Sequence, residues 1–327
     1  VRSQLSGILK QNGFSLNVFT SEELLELHNA TLEVLEQVGI NIFCENALEI
    51  LDGAGAKVDR STSMVKIPQY IVERAVRAAP RNILLAGRDP KHDLVLEDRR
   101  VSFANFGAGV QIVDPYTGEL RESTKADVKN TALVCDALDS VDVYFSAVVA
   151  KDMPESTADL HEAESFLSGT SKHCQHFNLT GGSGARGFLE MGSAIAGGME
   201  NLRRRPVISA MVCPVSPLQL HTNTCEIIIE FATAGVPVNI LSLAMSGASS
   251  PITPAGAIIV SNAEVLAGIV LAQAARKGSP VIYGSSTTTF DLTHVTAPVG
   301  SPELAIISSG VAELAGFYGL PSCTGGT

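Results

Sequence analysis

The chain has 327 residues, 45% hydrophobic and 17% charged, which is enough apolar material for a large core and excludes the disordered class. A formal net charge of −11 argues against nucleic acid or an anionic membrane as main partner, because both need a basic face, and favours a neutral or cationic ligand. The length suits either one α/β barrel of roughly 250 residues with an N-terminal addition or two ordinary domains.

Residues 1–20 carry no apolar stretch flanked like a secretory signal. Residues 21–39 place Leu24, Leu25, Leu27, Leu32, Val34 and Leu35 near helical spacing behind a Ser-Glu-Glu start, predicting a first helix. Further helices are predicted over 45–53 and 68–79. Residues 99–123 read instead as two extended runs around the turn Asp114-Pro-Tyr-Thr-Gly118. Residues 1–125 are therefore expected to form a helical and β-hairpin region ahead of the main unit, residues 126–327.

From about Asp139, short apolar or β-branched runs alternate with helical stretches. Strands are predicted over 143–150, 172–178, 206–214, 236–243, 280–286 and 320–324, roughly 30 to 45 residues apart, as βα units require. Helices are predicted over 155–168, 185–204, 217–234, 254–277 and 302–318, with Ser216-Pro217 and Ser301-Pro302 read as helix starts. The apolar run 255–275 contains Asn262, Glu264 and Gln273 and reads as a buried helix rather than a membrane span. Repeated βα units mean a parallel sheet, and no G-x-G-x-x-G follows a strand, so a TIM (β/α)8 barrel is favoured over a dinucleotide-binding sheet. Six of its eight strands are counted; either two more lie in residues 80–125, or the chain lacks about two C-terminal units.

Candidate site residues are sought at the C-terminal ends of those strands. The ends carry His176 and Asn178, Cys213, Ser242 and Met245, the hydroxyl run Ser285-Ser-Thr-Thr-Thr289, and Cys323. Paired carboxylates on neighbouring ends are missing, which disfavours two-acid hydrolysis. His173 and His176 would point to opposite faces of one strand, so no metal site is expected there. Cys213 and Cys323 are a conceivable thiolate pair, though buried cysteines usually serve as small hydrophobes. The six scattered cysteines form no CxxC pair, and a cytoplasmic location is expected. Phe103 and Phe106, flanking Asn105, either face a cation or belong to a hairpin core. Glu264 and Gln273 suggest buried polar contacts.

Several segments resemble one family. They are Val236-Pro-Val-Asn-Ile-Leu-Ser-Leu-Ala-Met-Ser-Gly247, Asn262-Ala-Glu-Val-Leu266, Tyr283-Gly-Ser-Ser-Thr-Thr-Thr-Phe-Asp291, Ala297-Pro-Val-Gly-Ser-Pro-Glu-Leu304 and Phe317-Tyr-Gly-Leu-Pro-Ser322, with Phe106-Gly-Ala-Gly109 and Cys213-Pro-Val-Ser-Pro-Leu218 earlier. The chain is similar in these to the trimethylamine:corrinoid protein methyltransferases and their glycine-betaine-type relatives. The resemblance implies a TIM barrel that moves a methyl group from trimethylamine to the Co(I) corrinoid (cobalamin) of a separate corrinoid protein, in methylamine metabolism of the methanogenesis type. It also implies pyrrolysine, encoded by an in-frame amber codon, directly after Thr327; reading that codon as a stop would remove the end of the barrel. On this resemblance Tyr283, Ser285, Ser286 and Thr287 are expected at the reactive rim with Glu264 as proton partner. Phe106, His176, Cys213 and Asp291 are expected to line the substrate, with no metal bound directly. Partners would be the corrinoid protein, a small methylated amine and further copies of the chain. The alternatives are a pyrrolysine-independent betaine-type methyltransferase and a truncated fragment that only binds partners.

Overall fold

The structure, a computed structural model, describes residues 18–97 and 100–325. Most of the stretch read for a secretory signal, Arg99 at the start of the expected extended run, and Gly326-Thr327 next to the expected pyrrolysine lie outside the described residues.

The first helix is set by Thr20. Its Oγ1 accepts the Glu23 N–H, and the Glu23 carboxylate accepts the Thr20 N–H, a reciprocal cap that starts α1 (Ser21–Glu33) one residue after Thr20. A wider π turn, Val34–Val38, carries the chain on to Gly39. There φ is +91°, and a Cβ would stand 2.7 Å from the Val65 carbonyl oxygen, so glycine alone fits. Next come β1 (Ile40–Ile42), α2 (Glu45–Gly53), the hairpin β2 (Lys57–Asp59) and β3 (Met64–Lys66), and α3 (Gln69–Ala78). Two more hairpins follow: β4 (Ile83–Leu85) with β5 (Leu94–Leu96), then β6 (Gln111–Val113) with β7 (Leu120–Glu122). The turn between β6 and β7 is the one expected at Asp114–Gly118, where Asp114 Oδ1 accepts the N–H groups of Tyr116 and Thr117. Thr124 and Asp127 cap α4 (Lys125–Ala137), and Asp127 also takes both ends of the Arg121 guanidinium.

The alternating part then runs β8 (Val143–Phe145), α5 (Ala158–Gly169), β9 (His173–His176), α6 (Gly181–Ala196), α7 (Met199–Arg204), β10 (Ile208–Val212), β11 (Gln219–Leu220), α8 (Thr222–Ala234), β12 (Val238–Ser242), β13 (Met245–Ser246), α9 (Pro254–Ala275), β14 (Val281–Ser285), β15 (Thr288–Thr289), α10 (Pro302–Tyr318) and β16 (Ser322–Thr324). Each of the six expected strands lies inside its expected range. Two helices depart from expectation. The stretch 185–204 is two helices, because Gly197 and Gly198 both take positive φ, which ends α6 with a left-handed cap. Ser216-Pro217 is a cis peptide and does not start a helix; Gln219 and Leu220 pair with Asn41 and Ile42 instead, and α8 begins at Thr222. Pairing with a distant strand there overrides local helix signals.

The chain divides into two compact units. In the first, residues 83–211 with 234–237, strands β8, β9 and β10 are parallel neighbours, with Phe145 opposite Gln175 and Gln175 opposite Ser209. Side chains alternate across the strands. Tyr144 packs its ring on Phe166 of α5, and His176 sits edge-on to Phe166 and Phe188 of α5 and α6, so these two face the helices. Phe145, His173, Gln175 and Ser209 occupy the opposite face, where His173 Nε2 and Gln175 Nε2 both reach Ser209 Oγ.

In the second unit, the described residues 18–82, 212–233 and 238–325, strands β12, β14 and β16 are parallel neighbours, with Leu241 opposite Gly284 and Gly284 opposite Cys323. The helices α1, α2, α3 and α10 pack around α9. That surrounds α9 with protein and explains why it is apolar on all sides. By length and composition α9 could cross a membrane, yet 78% of its most apolar window is buried inside the protein. Gly268 of α9 lets the helix lie close on β12: a Cβ there would come 2.9 Å from Ile240 Cγ2.

Candidate functional site

In the second unit the ends of β12 and β14 are tied to α9 by side chains that face the helix. Glu264, fully buried in α9, accepts the Ser242 hydroxyl at 2.6 Å, the Ser216 hydroxyl at 2.8 Å and the Leu218 N–H at 2.9 Å. Burial raises its carboxyl pKa, and the three donors oppose that rise. One carboxyl therefore fixes the end of β12 and the 213–218 loop after β10. Tyr283 of β14 also faces α9. Its hydroxyl donates to Asn262 Oδ1 at 2.8 Å, and Asn262 Nδ2 donates to Tyr318 Oη and Thr31 Oγ1. Tyr318 Oη in turn lies 3.0 Å from His28 Nδ1. Burial pushes the Tyr283 phenol well above its ordinary value. Neither Glu264 nor Tyr283 is exposed.

The hydroxyl run leaving β14 is arranged differently. Ser285 Oγ accepts the Thr287 N–H at 3.1 Å and lies 3.4 Å from Ser261 Oγ of α9. Thr287 and Thr288 are 1% and 3% exposed, and neither hydroxyl has a hydrogen-bond partner, so both donors remain unspent. Beside them, Gly325 at the end of β16 donates its N–H to the Ser285 carbonyl at 2.8 Å, while a Cβ on Gly325 would be 3.3 Å from Ser286 Oγ. The run and the end of β16 are thus adjacent. Cys323 lies on the face away from α9, level with Gly284, where a Cβ would be 2.3 Å from Asn239 Oδ1. Cys213 is exposed after β10, and its carbonyl accepts the Thr224 hydroxyl. Asp291 sits on an outer loop, held by His294 Nδ1 at 2.7 Å and by the N–H groups of Thr293 and His294.

In the first unit His176 is fully buried and its ring is spoken for. Nε2 lies 2.9 Å from the Asp159 carbonyl and Nδ1 accepts the Asn178 N–H, which fixes the neutral Nε2–H form. Burial lowers its pKa to about 4. Sequence reasoning missed its neighbour Glu162 on α5, 2% exposed, whose Oε1 accepts the Ala150 N–H at 2.9 Å while Oε2 reaches Asn178 at 3.5 Å. Burial pushes this carboxyl up to about 7, and nearby Asp159 adds to the effect. The only sequence signal was an acidic residue beside Ala163, Phe166 and Leu167 on the buried stripe of a helix. Phe106 is 81% exposed and Phe103 64%, so neither is a hairpin core residue. Among the described residues no three His, Cys, Asp or Glu side chains are placed to hold a metal ion.

Parallel βα units carrying polar groups at their C-terminal ends define an α/β protein whose fold resembles that of a chain solved as the hydroxylamine MtmB complex. The match has a TM-score of 0.59 at 11% identity and covers 99% of this chain and 65% of that one. The family model for trimethylamine methyltransferase (MTTB) matches residues 2–327, and the chain belongs to that family. It is 50% identical over 321 residues to the trimethylamine methyltransferase MttB of Desulfitobacterium hafniense (strain DSM 10664 / DCB-2), covering 98% of this chain and 64% of the relative. The MttB of Methanosarcina thermophila is 44% identical over 328 residues, covering 99% and 68%. A glycine betaine methyltransferase of D. hafniense (strain Y51) is 31% identical over 311 residues, covering 95% and 64%. The chain thus spans about two thirds of the length of the curated relatives it matches.

Proposed function

We propose that the chain is the larger part of an enzyme that moves a methyl group from trimethylamine to the Co(I) corrinoid of a separate corrinoid protein, in one-carbon metabolism of the methanogenesis type. The observation that carries this is 50% identity with a trimethylamine methyltransferase across 98% of the chain. On this reading the βα units belong to a (β/α)8 barrel preceded by an N-terminal region, residues 1–125, and the enzyme is a cytoplasmic homo-oligomer.

The same reading puts pyrrolysine after Thr327, in the pattern Gly319-Leu-Pro-Ser-Cys-Thr-Gly-Gly-Thr327. Its imine would supply an electrophile for the amine nitrogen. The residues of this chain orient and shield. Ser286 stands next to Gly325, and the unspent hydroxyls of Thr287 and Thr288 follow it in the same run, so this rim is the part of the chain fitted to hydrogen-bond a group carried just beyond β16. Glu264 and Tyr283, whose polar atoms are engaged internally, act as positioning groups for that rim. Cys213 and Asp291 are assigned no contact beyond substrate lining, and His176, fully buried against Phe166 and Phe188 with both ring nitrogens engaged, is withdrawn from that role.

The test is trimethylamine-dependent methylation of the Co(I) corrinoid protein by the full-length enzyme, followed by visible absorbance, with peptide mass determination across Thr327. Methylation and a pyrrolysine mass are expected. Turnover of glycine betaine instead, with an ordinary residue after Thr327, would move the assignment to the betaine branch, which the 31% identity to a glycine betaine methyltransferase makes the second reading.

A further inference from the structure

The parallel pair β1 and β11 carries two cysteines to one place in the second unit. Phe43, just past β1, donates its N–H to the Leu220 carbonyl at 2.9 Å, and the Thr222 hydroxyl donates to the Phe43 carbonyl. The Phe43 and His221 rings meet edge-on at a centroid distance of 5.2 Å. Cys44 comes next in the chain and immediately precedes α2, while Cys225 stands at the start of α8 with its N–H bonded to the His221 carbonyl at 3.0 Å. Cys225 Sγ lies 3.8 Å from the same Leu220 oxygen that takes the Phe43 N–H. The main chain is thus fixed on both sides, and the Cys225 thiol is hydrogen-bonded to the Cys44 side chain.

The two sulfurs differ in character. The bond from Cys225, and after it the N–H groups of Ala47 and Asn46 at the start of α2, bring the Cys44 thiol down to about 6 against the opposing effects of burial and Glu226. Those two N–H groups act on the sulfur without closing a cap bond. Cys225 is shifted the other way, held as a thiol by the bond it gives to Cys44 and by burial. At neutral pH one sulfur is therefore a nucleophile and its neighbour a thiol ready to follow. Cys44 is 5% exposed and Cys225 fully buried, so only a small oxidant reaches them. Cysteines serving merely as small hydrophobes would need neither the contact nor the asymmetry.

We propose that Cys44 and Cys225 are a redox modification site, at which a hydroperoxide closes a reversible disulfide between the start of α2 and α8. The Cys44 thiolate attacks one peroxide oxygen, the O–O bond breaks, and the departing hydroxide takes a proton from water, leaving Cys44 as a sulfenic acid. The Cys225 sulfur then attacks the Cys44 sulfur, the S–S bond forms, the S–O bond breaks, and the hydroxide leaves as water with the Cys225 proton. Two thiols are oxidised and one peroxide is reduced to two waters. In a reducing compartment the pair rests as the dithiol and closes only under oxidant. The bridge joins α2, which packs on α9, to α8 across a large separation in sequence.

The test treats the full-length enzyme, freed of reductant, with a small excess of hydrogen peroxide at neutral pH and maps it by mass after digestion without reduction. Wild type is expected to lose two hydrogens in intact mass and to yield a peptide pair joined through Cys44 and Cys225, both reversed by a phosphine reductant. Cys225→Ser is expected to stop at the Cys44 sulfenic acid, trapped by dimedone. Cys44→Ser is expected to form no bridge and to react with peroxide tenfold or more slowly. Cys213→Ser, which removes an exposed thiol, is expected to give the same linked pair as wild type. The wild-type readout needs no variant to fold. Wild type that is oxidised at Cys213 while Cys44 and Cys225 stay reduced, or that gains oxygen on Cys44 with Cys225 still free, would overturn the assignment.

Discussion

Tyr283 Oη donates to Asn262 Oδ1 across 2.8 Å, and this one bond joins β14 to a buried chain of polar groups running through Tyr318 and Thr31 to α1. Every polar atom of Asn262 is used. Asn262→Leu would strand the Tyr283 hydroxyl and take one partner each from Tyr318, which keeps His28, and Thr31, which keeps the Leu27 carbonyl. With one buried hydroxyl left unsatisfied and two further hydrogen bonds lost, we expect a loss of about 2 kcal/mol, and about 1 kcal/mol for Tyr283→Phe. Urea unfolding of the two variants checks both the size and the order.

Glu162 links stability to pH. Its carboxyl titrates near 7 when folded and at an ordinary carboxylate value when unfolded, so between those limits the folded state holds the extra proton. The stabilisation is complete below the unfolded value and is lost as pH rises to about 7. Glu162→Gln should remove this slope, leaving the variant about 3 kcal/mol more stable relative to wild type at pH 8 than at pH 4. Unfolding midpoints measured across that range would show two curves of equal shape if the idea is wrong.

The buried histidines act in the opposite direction. Burial lowers both His173 and His176 to about 4, so each is neutral when folded and accepts a proton below about 6.5 when unfolded. Stability from this source is present above 6.5 and falls away toward pH 4. His176→Leu should cost stability at pH 7, through the loss of two hydrogen bonds, while flattening the acid limb. An acid limb as steep as that of wild type would count against it.

Glu264→Leu leaves the Leu218 N–H and the Ser216 and Ser242 hydroxyls without their shared acceptor. We expect a loss of about 3 kcal/mol and faster amide exchange at Leu218 well before global unfolding. Glu264→Gln, which keeps one carbonyl acceptor, should lie between the two. Unchanged exchange at Leu218 would show that the loop is held by other contacts.

Gly284→Ala would drive a methyl group to 2.3 Å from Asn239 Oδ1 and 2.8 Å from Leu241 Cα. Backbone cannot yield as a side-chain tip can, so thermal unfolding should fall by several degrees, corresponding to about 2 kcal/mol or more.

The alternating part of the fold was readable because buried parallel strands are continuous apolar runs whatever their neighbours. Val238–Ser242 and Val281–Ser285 are buried at every position in this way, with Asn239 and Gly284 the breaks in otherwise apolar stretches that end on serine. Residues 103–109, bridged to Val143 and Val148, were not readable as a partner of β8, because at Phe145 the Asn105 side chain makes the bonds that main chain would normally make. The site was legible only in part. Strand ends singled out Ser286 and Thr287, and the aromatic pair flanking Asn105 singled out Phe106, while Tyr283 was expected at the rim although its side chain faces α9 and its neighbour Gly284 occupies the other face. Deciding which face of a strand meets the helix needs the packing partner, here Asn262, which lies 21 residues away. Glu162 escaped because one acidic residue on a helix ordinarily implies exposure, and only the fold reveals its burial.

The Asn105 amide, which accepts the Phe145 N–H and donates to the Phe145 carbonyl, also bears on how β8 is bounded. A bare outer strand invites pairing with another chain, and proteins usually guard such an edge with main-chain bonds or charges. Beside Phe145 the guard is a single amide. Exchanging Asn105 would take from Phe145 the side-chain partners of both its N–H and its carbonyl, so a single amide settles how that stretch of β8 is satisfied.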